Sequence, residues 1–319
     1  MGKLINKIKV KIGGEKIFSK ITRNLTGSEF NSLLIDIFRQ RTAQITPTDL
    51  MKQFEENRFV KPSSLDPLKA KSFELEWLSK AKEIGFNPIL LSPLAPLGSC
   101  AAVGTVSQNK IISASRGTEV LADATNMLAL QIAKDFRKNQ DKTLQAKYVT
   151  THQHVRAQFF DNPAFTAHFA IFCMASGAYD RGNYEWEAQS LYEHIHFHYQ
   201  NLCQYFDPSR LSVKVYFKDK AVQLKSALAR LLVDLNTIAQ IKYERPEEDN
   251  KYYQDIQFKV FLQIEENKID LADGGLVDWS QKLIPNNKHK MVISGCGIEL
   301  VLKFLELYQS EKSSKSNKN

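Results

Sequence analysis

Hydrophobic residues recur along this chain with two different periods. Leu211, Val213, Val215 and Phe217 alternate with polar residues, and Ile256, Phe258, Val260, Leu262 and Ile264 repeat that rhythm over a longer stretch. A period of two sends successive side chains to opposite faces of an extended chain, so both stretches predict half-buried strands. Elsewhere the period is helical. Phe30, Leu33, Leu34, Ile37 and Phe38 share one face of a helix opening at Thr26 and running to about Gln40. Thr46 and Pro47 supply a cap and a first position for a second helix to about Asn57. Ser63 to Pro67 opens a third over 68–84, stopped by Gly85.

The texture then changes. Short apolar strands are predicted over 88–93 and 110–115, with a loop rich in Pro and Gly between them and a helix over 124–136. Two long strands, 147–158 and 167–177, flank a loop containing Asn162 and Pro163. Helices follow over 184–204 and 221–238, then a turn at Gly274-Gly275, a strand from Met291, and a last helix over 298–308. Long alternating strands in hairpin order, mixed with helices, predict an α+β fold: an antiparallel sheet flanked by helices, with an N-terminal helical extension. The expected organisation is a basic arm (1–24), a helical extension (25–67), a core (68–308) and a disordered polar tail (309–319).

Composition adds little to this, and charge placement adds more. With 43% hydrophobic and 24% charged residues the chain reads as an ordinary globular protein. No apolar run approaches the roughly 20 residues that span a bilayer, and no signal-peptide core opens the chain, so the cytoplasm is the expected compartment. Cys100, Cys173, Cys203 and Cys296 show no metal or disulfide spacing and read as small buried hydrophobes. The net charge is +8, yet seven cations against Glu15 alone put +6 of it in residues 1–24. Three lysines against Glu311 put +2 in the tail, and the body is neutral. A whole-protein affinity for nucleic acid is therefore not indicated, whereas the arm can meet RNA phosphates or an anionic membrane surface. Its Leu4, Ile5 and Ile8 share a helical face; Ile8, Val10 and Ile12 equally alternate as an edge strand would.

Candidate chemistry concentrates in a few places. His152, His154, Arg156 and Gln158 fall on one face of a predicted strand, with His168 on its partner, and that density of polar side chains predicts a pocket wall. Arg116, Thr118, Glu119, Asp123 and Thr125 crowd another strand end, although Asp123 and Thr125 also fit simple helix capping. His194 and His198 lie four apart on one helix, a spacing that suits a helix surface or dimer contact better than a metal. The pairs Gly274-Gly275 and Gly295/Gly297 suit a tight turn and close helix–sheet packing, respectively.

In their order these elements resemble the class II aminoacyl-tRNA synthetase catalytic domain, nearest to the histidyl-tRNA synthetase and ATP phosphoribosyltransferase regulatory subunit type, over about Leu68 to Leu307. In the segment Leu121-Ala-Asp-Ala-Thr125, Asp123 and Thr125 stand where the family holds a substrate amino group. Arg156 in HVRAQ looks like the arginine that clamps the ATP α-phosphate. Tyr252-Tyr253 looks like the family's tyrosine pair, Gly274-Gly275-Leu276-Val277-Asp278 like G-G-R-Y-D, and Gly295-Cys-Gly-Ile-Glu299-Leu300 like the third motif.

The departures bear on activity. Leu276 and Leu300 stand where arginines are expected, Glu248 stands where the histidine enzymes have an arginine, with Arg245 three residues earlier, and Gln158 replaces a carboxylate. Guanidinium groups aimed at the α-phosphate are the main device of adenylation, and loss of one such donor costs roughly 10²–10³ in rate. The resemblance thus implies a catalytically reduced paralogue that binds an amino acid or nucleotide, works as a homodimer and regulates a partner enzyme. The alternatives are an active ATP-dependent ligase or transferase on an unusual substrate, with ATP and Mg as cofactors, and an RNA- or membrane-binding interaction protein acting through its arm.

Overall fold

In the computed structural model of the protein, described for residues 2–139, 141–157, 166–236, 238–246 and 251–316, the N-terminal fifth is helical throughout. α1 (Gly2–Lys11) and α2 (Glu15–Ser19) form the arm, which is helical rather than an edge strand. α3 (Gly27–Thr42) and α4 (Pro47–Glu56) each open with a capping box: Thr26 with Glu29, and Thr46 with Asp49. None of these four helices buries a residue. α5 (Pro67–Glu83), capped by Asp66, is the first to reach the core, through Phe73 and Trp77.

Eight strands make the central sheet: β1 (Asn87–Pro88), β4 (Gln145–Val155), β5 (His168–Tyr179), β6 (Leu211–Phe217), β7 (Gln240–Glu244), β8 (Ile256–Ile264), β9 (Asn267–Val277) and β10 (His289–Gly297). Their spatial order is β1-β4-β5-β10-β9-β8-β6-β7. The central pairings are antiparallel, and only the edge pairs β1–β4 and β6–β7 run parallel. β2 (Leu94–Pro96) and β3 (Thr118–Val120) form a separate ribbon. The helices in between are α6 (Ser99–Ala102), α7 (Ala124–Lys138), α8 (Glu185–Leu202), α9 (Val222–Leu231), α10 (Val233–Asn236), α11 (Trp279–Leu283) and α12 (Ile298–Ser316).

Strand alternation sorts these helices onto two faces. On the rear face, Phe172 and Met174 of β5, Val260 of β8 and Val292 of β10 meet α5, α8, α9 and α12 in the larger core. On the front face, Cys173, Ala175, Met291 and Ile293 meet α7 and Trp279. Farther along the sheet, Lys214, Lys259 and Phe261 lie outside both core clusters.

Four predicted elements turn out differently. Residues 110–115 form no strand; only Ser113 makes an isolated bridge to Glu119, and the strand lies at Thr118–Val120. The helix predicted over 221–238 breaks after Leu231, and β7 follows it. Gly274-Gly275 is no turn, since both glycines lie inside β9 and pair on both sides; the chain reverses near Glu265, at φ +50°. The last helix, expected to end near Tyr308, continues to Ser316 in its backbone. Among the described residues no helix is long and apolar enough to cross a membrane.

Candidate functional site

The site is built around the segment that enters α7. Three consecutive residues at the end of β4 fasten it. The Val155 amide donates to the Leu121 carbonyl at 3.1 Å, Arg156 Nε donates to the Ala122 carbonyl at 3.0 Å, and His154 Nε2 accepts from the Ala124 amide at 2.9 Å. That acceptor role requires a neutral imidazole. Burial, with Arg156 and His152 nearby, holds His154 well below the ordinary histidine range. His154 is therefore a positioning residue beneath the helix start rather than part of a pocket wall.

So held, Asp123 does two things at once. Its Oδ1 accepts from the Thr125 amide (3.0 Å) and hydroxyl (2.6 Å), which caps α7. Its Oδ2 accepts from Tyr252 Oη at 2.6 Å. Asp123, Thr125 and Tyr252 line a cavity of about 390 Å³ between α7, the front of β5 and β10, and β8. Capping and ligand binding are not alternatives here: one carboxylate serves the helix with one oxygen and faces the cavity.

Opposite, Tyr253 donates to Asp273 Oδ2 at 2.8 Å. Gly275 makes this contact possible. A Cβ there would lie 2.4 Å from the Ile256 carbonyl and 2.7 Å from the Tyr253 ring, so only a bare backbone lets the ring lie over β9. Gly274 leaves room for the Phe258 ring on the other face in the same way. Burial and the nearby Asp270 push the Asp273 carboxyl up to about 6, against the opposing effects of Tyr253 and Lys259. Lys259 itself is paired with Asp270 at 2.7 Å. Asp273, Lys259 and Gln257 were not among the candidates read from the sequence. Each alternates with apolar residues on a strand, and alternation alone does not say whether the second face meets water or a cavity.

The remaining candidates disperse. Glu119 is fully buried and accepts from the Gly98 and Cys100 amides at 2.8 and 3.1 Å, capping the short α6. Arg116 is exposed at φ +66° on the loop whose Gly117 amide is held by Asn31 of α3. His168 lies on the rear face, bonded to Gln153 and to the Lys61 carbonyl, where it anchors the helical extension. Gly295 lines the cavity, and both it and Gly297 line a second, more apolar cavity of about 420 Å³ that also touches Arg156 and Asp273. Leu300 and Phe304 form part of that apolar wall. Leu276 belongs to the rear core and lines neither cavity. Arg245 is paired with Asp219 and stacked on Phe217, away from both cavities. Gln158 and Glu248 lie outside the described residues. His194 and His198 are fully buried, not a surface or dimer contact: His194 bonds Ser176 and Ser294, and His198 bonds Ser294.

Comparison with known proteins now has a geometry to meet. No protein-family model and no curated protein sequence matches the chain. Solved structures do. An ATP phosphoribosyltransferase regulatory subunit/histidyl-tRNA synthetase from Bacillus halodurans C superposes with a TM-score of 0.58 at 12% identity, over 77% of this chain and 82% of its own. The fold is that of the class II synthetase core. Apo histidyl-tRNA synthetase from S. aureus gives 0.57 at 14% identity, over 76% of this chain and 68% of its own. A histidine–tRNA ligase subunit from Alicyclobacillus acidocaldarius gives 0.55 at 11%, over 78% and 98%. At such identities the likeness carries the architecture, and the chemistry rests on the residues present.

Proposed function

We propose that the protein is a catalytically reduced relative of the class II synthetase core that binds a small amino-bearing ligand and acts on a partner protein. The observation that carries this reading is the cavity itself. It presents Asp123 and Thr125 for an amino group, whereas Arg156 is the sole arginine lining either cavity among the described residues; of the lysines there, Lys259 is paired with Asp270, Lys303 lies 3.8 Å from Glu299 and Lys110 is exposed. Adenylation needs several fixed cations on a triphosphate. Here Leu300, Phe304 and Leu307 wall the adjoining cavity, a lining that suits a flat apolar group better than three phosphates with Mg. The likeness to the Bacillus halodurans protein, an ATP phosphoribosyltransferase regulatory subunit/histidyl-tRNA synthetase, supports a partner enzyme. The exposed Leu68, Leu75 and Leu90 around α5 and β1, at 78, 69 and 95% exposure, support a homodimer through that face.

A thermal-shift screen against the twenty amino acids, ATP, AMP and phosphoribosyl compounds tests the reading. An amino acid is expected to raise the melting temperature by mass action, and Asp123→Ala to abolish the rise relative to its own baseline. ATP–pyrophosphate exchange with any amino acid would overturn the loss of catalysis. A flat screen would overturn ligand binding altogether.

A second reading rests on the arm. Leu4, Ile5, Ile8, Ile12 and Ile17 stay exposed among its lysines, an arrangement suited to an anionic lipid surface. Vesicles rich in phosphatidylserine are expected to retain the full chain and to release one lacking residues 1–24. Retention by RNA alone would redirect the assignment.

A further inference from the structure

Asp273 calls for an explanation that amino-group recognition at Asp123 does not supply. Its carboxylate lines both cavities, and its one side-chain hydrogen bond among the described residues comes from Tyr253. The nearest lysine, Lys259, is spent on Asp270. A half-buried carboxylate with unfilled acceptor positions costs stability, and an amide of the same shape would cost less. Its keepers are equally specific: Tyr253 is 6% exposed, and Gly275 exists in a form that admits the Tyr253 ring.

The cavity therefore holds two carboxylates, each gripped by one of two adjacent tyrosines. Tyr252 holds Asp123 and Tyr253 holds Asp273, with the two rings 4.9 Å apart and nearly perpendicular. Arg156 lines the same cavity. Lys259 of the lining is neutralised by Asp270 and Lys110 is exposed to solvent, so the sheltered charges are two carboxylates and one guanidinium, the complement of a molecule with two positive charges and one negative.

Building on the reading of this cavity as a small-ligand site, we infer that its ligand is an amino acid with a permanently charged ammonium or guanidinium side chain. The α-amino group goes to Asp123 and Thr125, the side-chain cation to Asp273 and the carboxylate to Arg156. Asp273 is the specificity-determining residue of that arrangement.

Isothermal titration calorimetry at pH 8 of lysine against norleucine, and of arginine against citrulline, isolates the second charge, with histidine as an uncharged-imidazole control. The charged member of each pair is expected to bind at least about tenfold more tightly, the value of a charge-assisted hydrogen bond. Asp273→Asn is expected to bring each pair within about threefold while leaving the neutral member's affinity unchanged. Asp123→Asn is expected to weaken both members. The selectivity should also shrink at pH 5, where protonation of Asp273, flanked by Asp270, Lys259, Tyr253 and Asp123, removes its charge. Equal binding within each pair, tightest binding of histidine, selectivity that survives Asp273→Asn, or binding of nucleotides alone would overturn the inference and leave the cavity a ligand site. Absence of binding by every amino acid and nucleotide would overturn both.

Discussion

The two faces of the central sheet carry comparable sets of polar side chains and put them to opposite uses. On the rear, His194, His198, Ser176 and Ser294 close on one another: His194 reaches both serines at 2.9 and 2.8 Å, and His198 reaches Ser294 at 2.8 Å. Burial drives the His198 imidazole down to about 3 and His194 well below the usual range, so the cluster is neutral; among the described residues its four side chains pair with one another, and His198 Nδ1 alone of their polar atoms is left without a partner. On the front, Asp123 accepts from Thr125 and Tyr252, Asp273 accepts from Tyr253, and both line a cavity. Alternate residues of the same strand serve both sides: on β10, Ser294 bonds the rear histidines while Gly295 lines the front. Polar groups that satisfy each other make a core, and those left with spare acceptors beside a void make a binding site.

Breaking the rear cluster should have the largest effect on stability. His194→Ala leaves a cavity and strips two buried serines of a partner, which predicts a loss of about 2–4 kcal/mol in urea unfolding. Ligand affinity at the front should not change once folding is corrected for.

Gly275→Ala probes the seam between the faces. The added methyl meets the Ile256 carbonyl and the Tyr253 ring, so stability should fall by about 1–3 kcal/mol. Ligand affinity should fall with it, because Tyr253 loses its hold on Asp273. Equal affinity in the folded variant would detach Tyr253 from the site.

Asp273→Asn sharpens the comparison by the sign of its effect. The folded carboxyl titrates at about 6 against an ordinary 3.8, so the native state holds its proton longer than the unfolded chain. Stability linked to this group is fully present below pH 4 and is lost as pH rises through 6. The substitution should therefore raise the melting temperature at pH 7–8 by the equivalent of about 1–2 kcal/mol. That figure stays below what full burial would give because the carboxylate is only half-buried. At pH 4 the variant and the parent should melt together. A rear-face residue removed in the same way should never stabilise, and a destabilised Asp273→Asn at pH 8 would place Asp273 with the structural groups.

Much of the candidate site was legible in local sequence. Asp123 and Thr125 stand in a capping pattern and Arg156 alternates with His154 on one strand face, while Tyr252 and Tyr253 stood out only through the family resemblance; all but His154 line the cavity. Glu119, Arg116 and His168 share the same polar texture and lie elsewhere. Composition at a strand end cannot distinguish an amide-capping carboxylate from a ligand-binding one. Asp273 escaped notice because it sits beside two glycines that look like a turn, in a strand whose neighbours were not yet known.

The sequence by itself determined the elements with strong periods, the capped starts of α3, α4 and α7, the antiparallel character of the sheet and the concentration of charge in the first 24 residues. These follow from local sterics, capping and side-chain alternation, which act over a few residues. Only the tertiary structure decided which face of each strand meets a core and which meets a void. That choice depends on where α7 and α8 pack, and they pack across strands more than a hundred residues apart in the chain. It turned two histidines into a sealed core and two aspartates into the walls of a cavity.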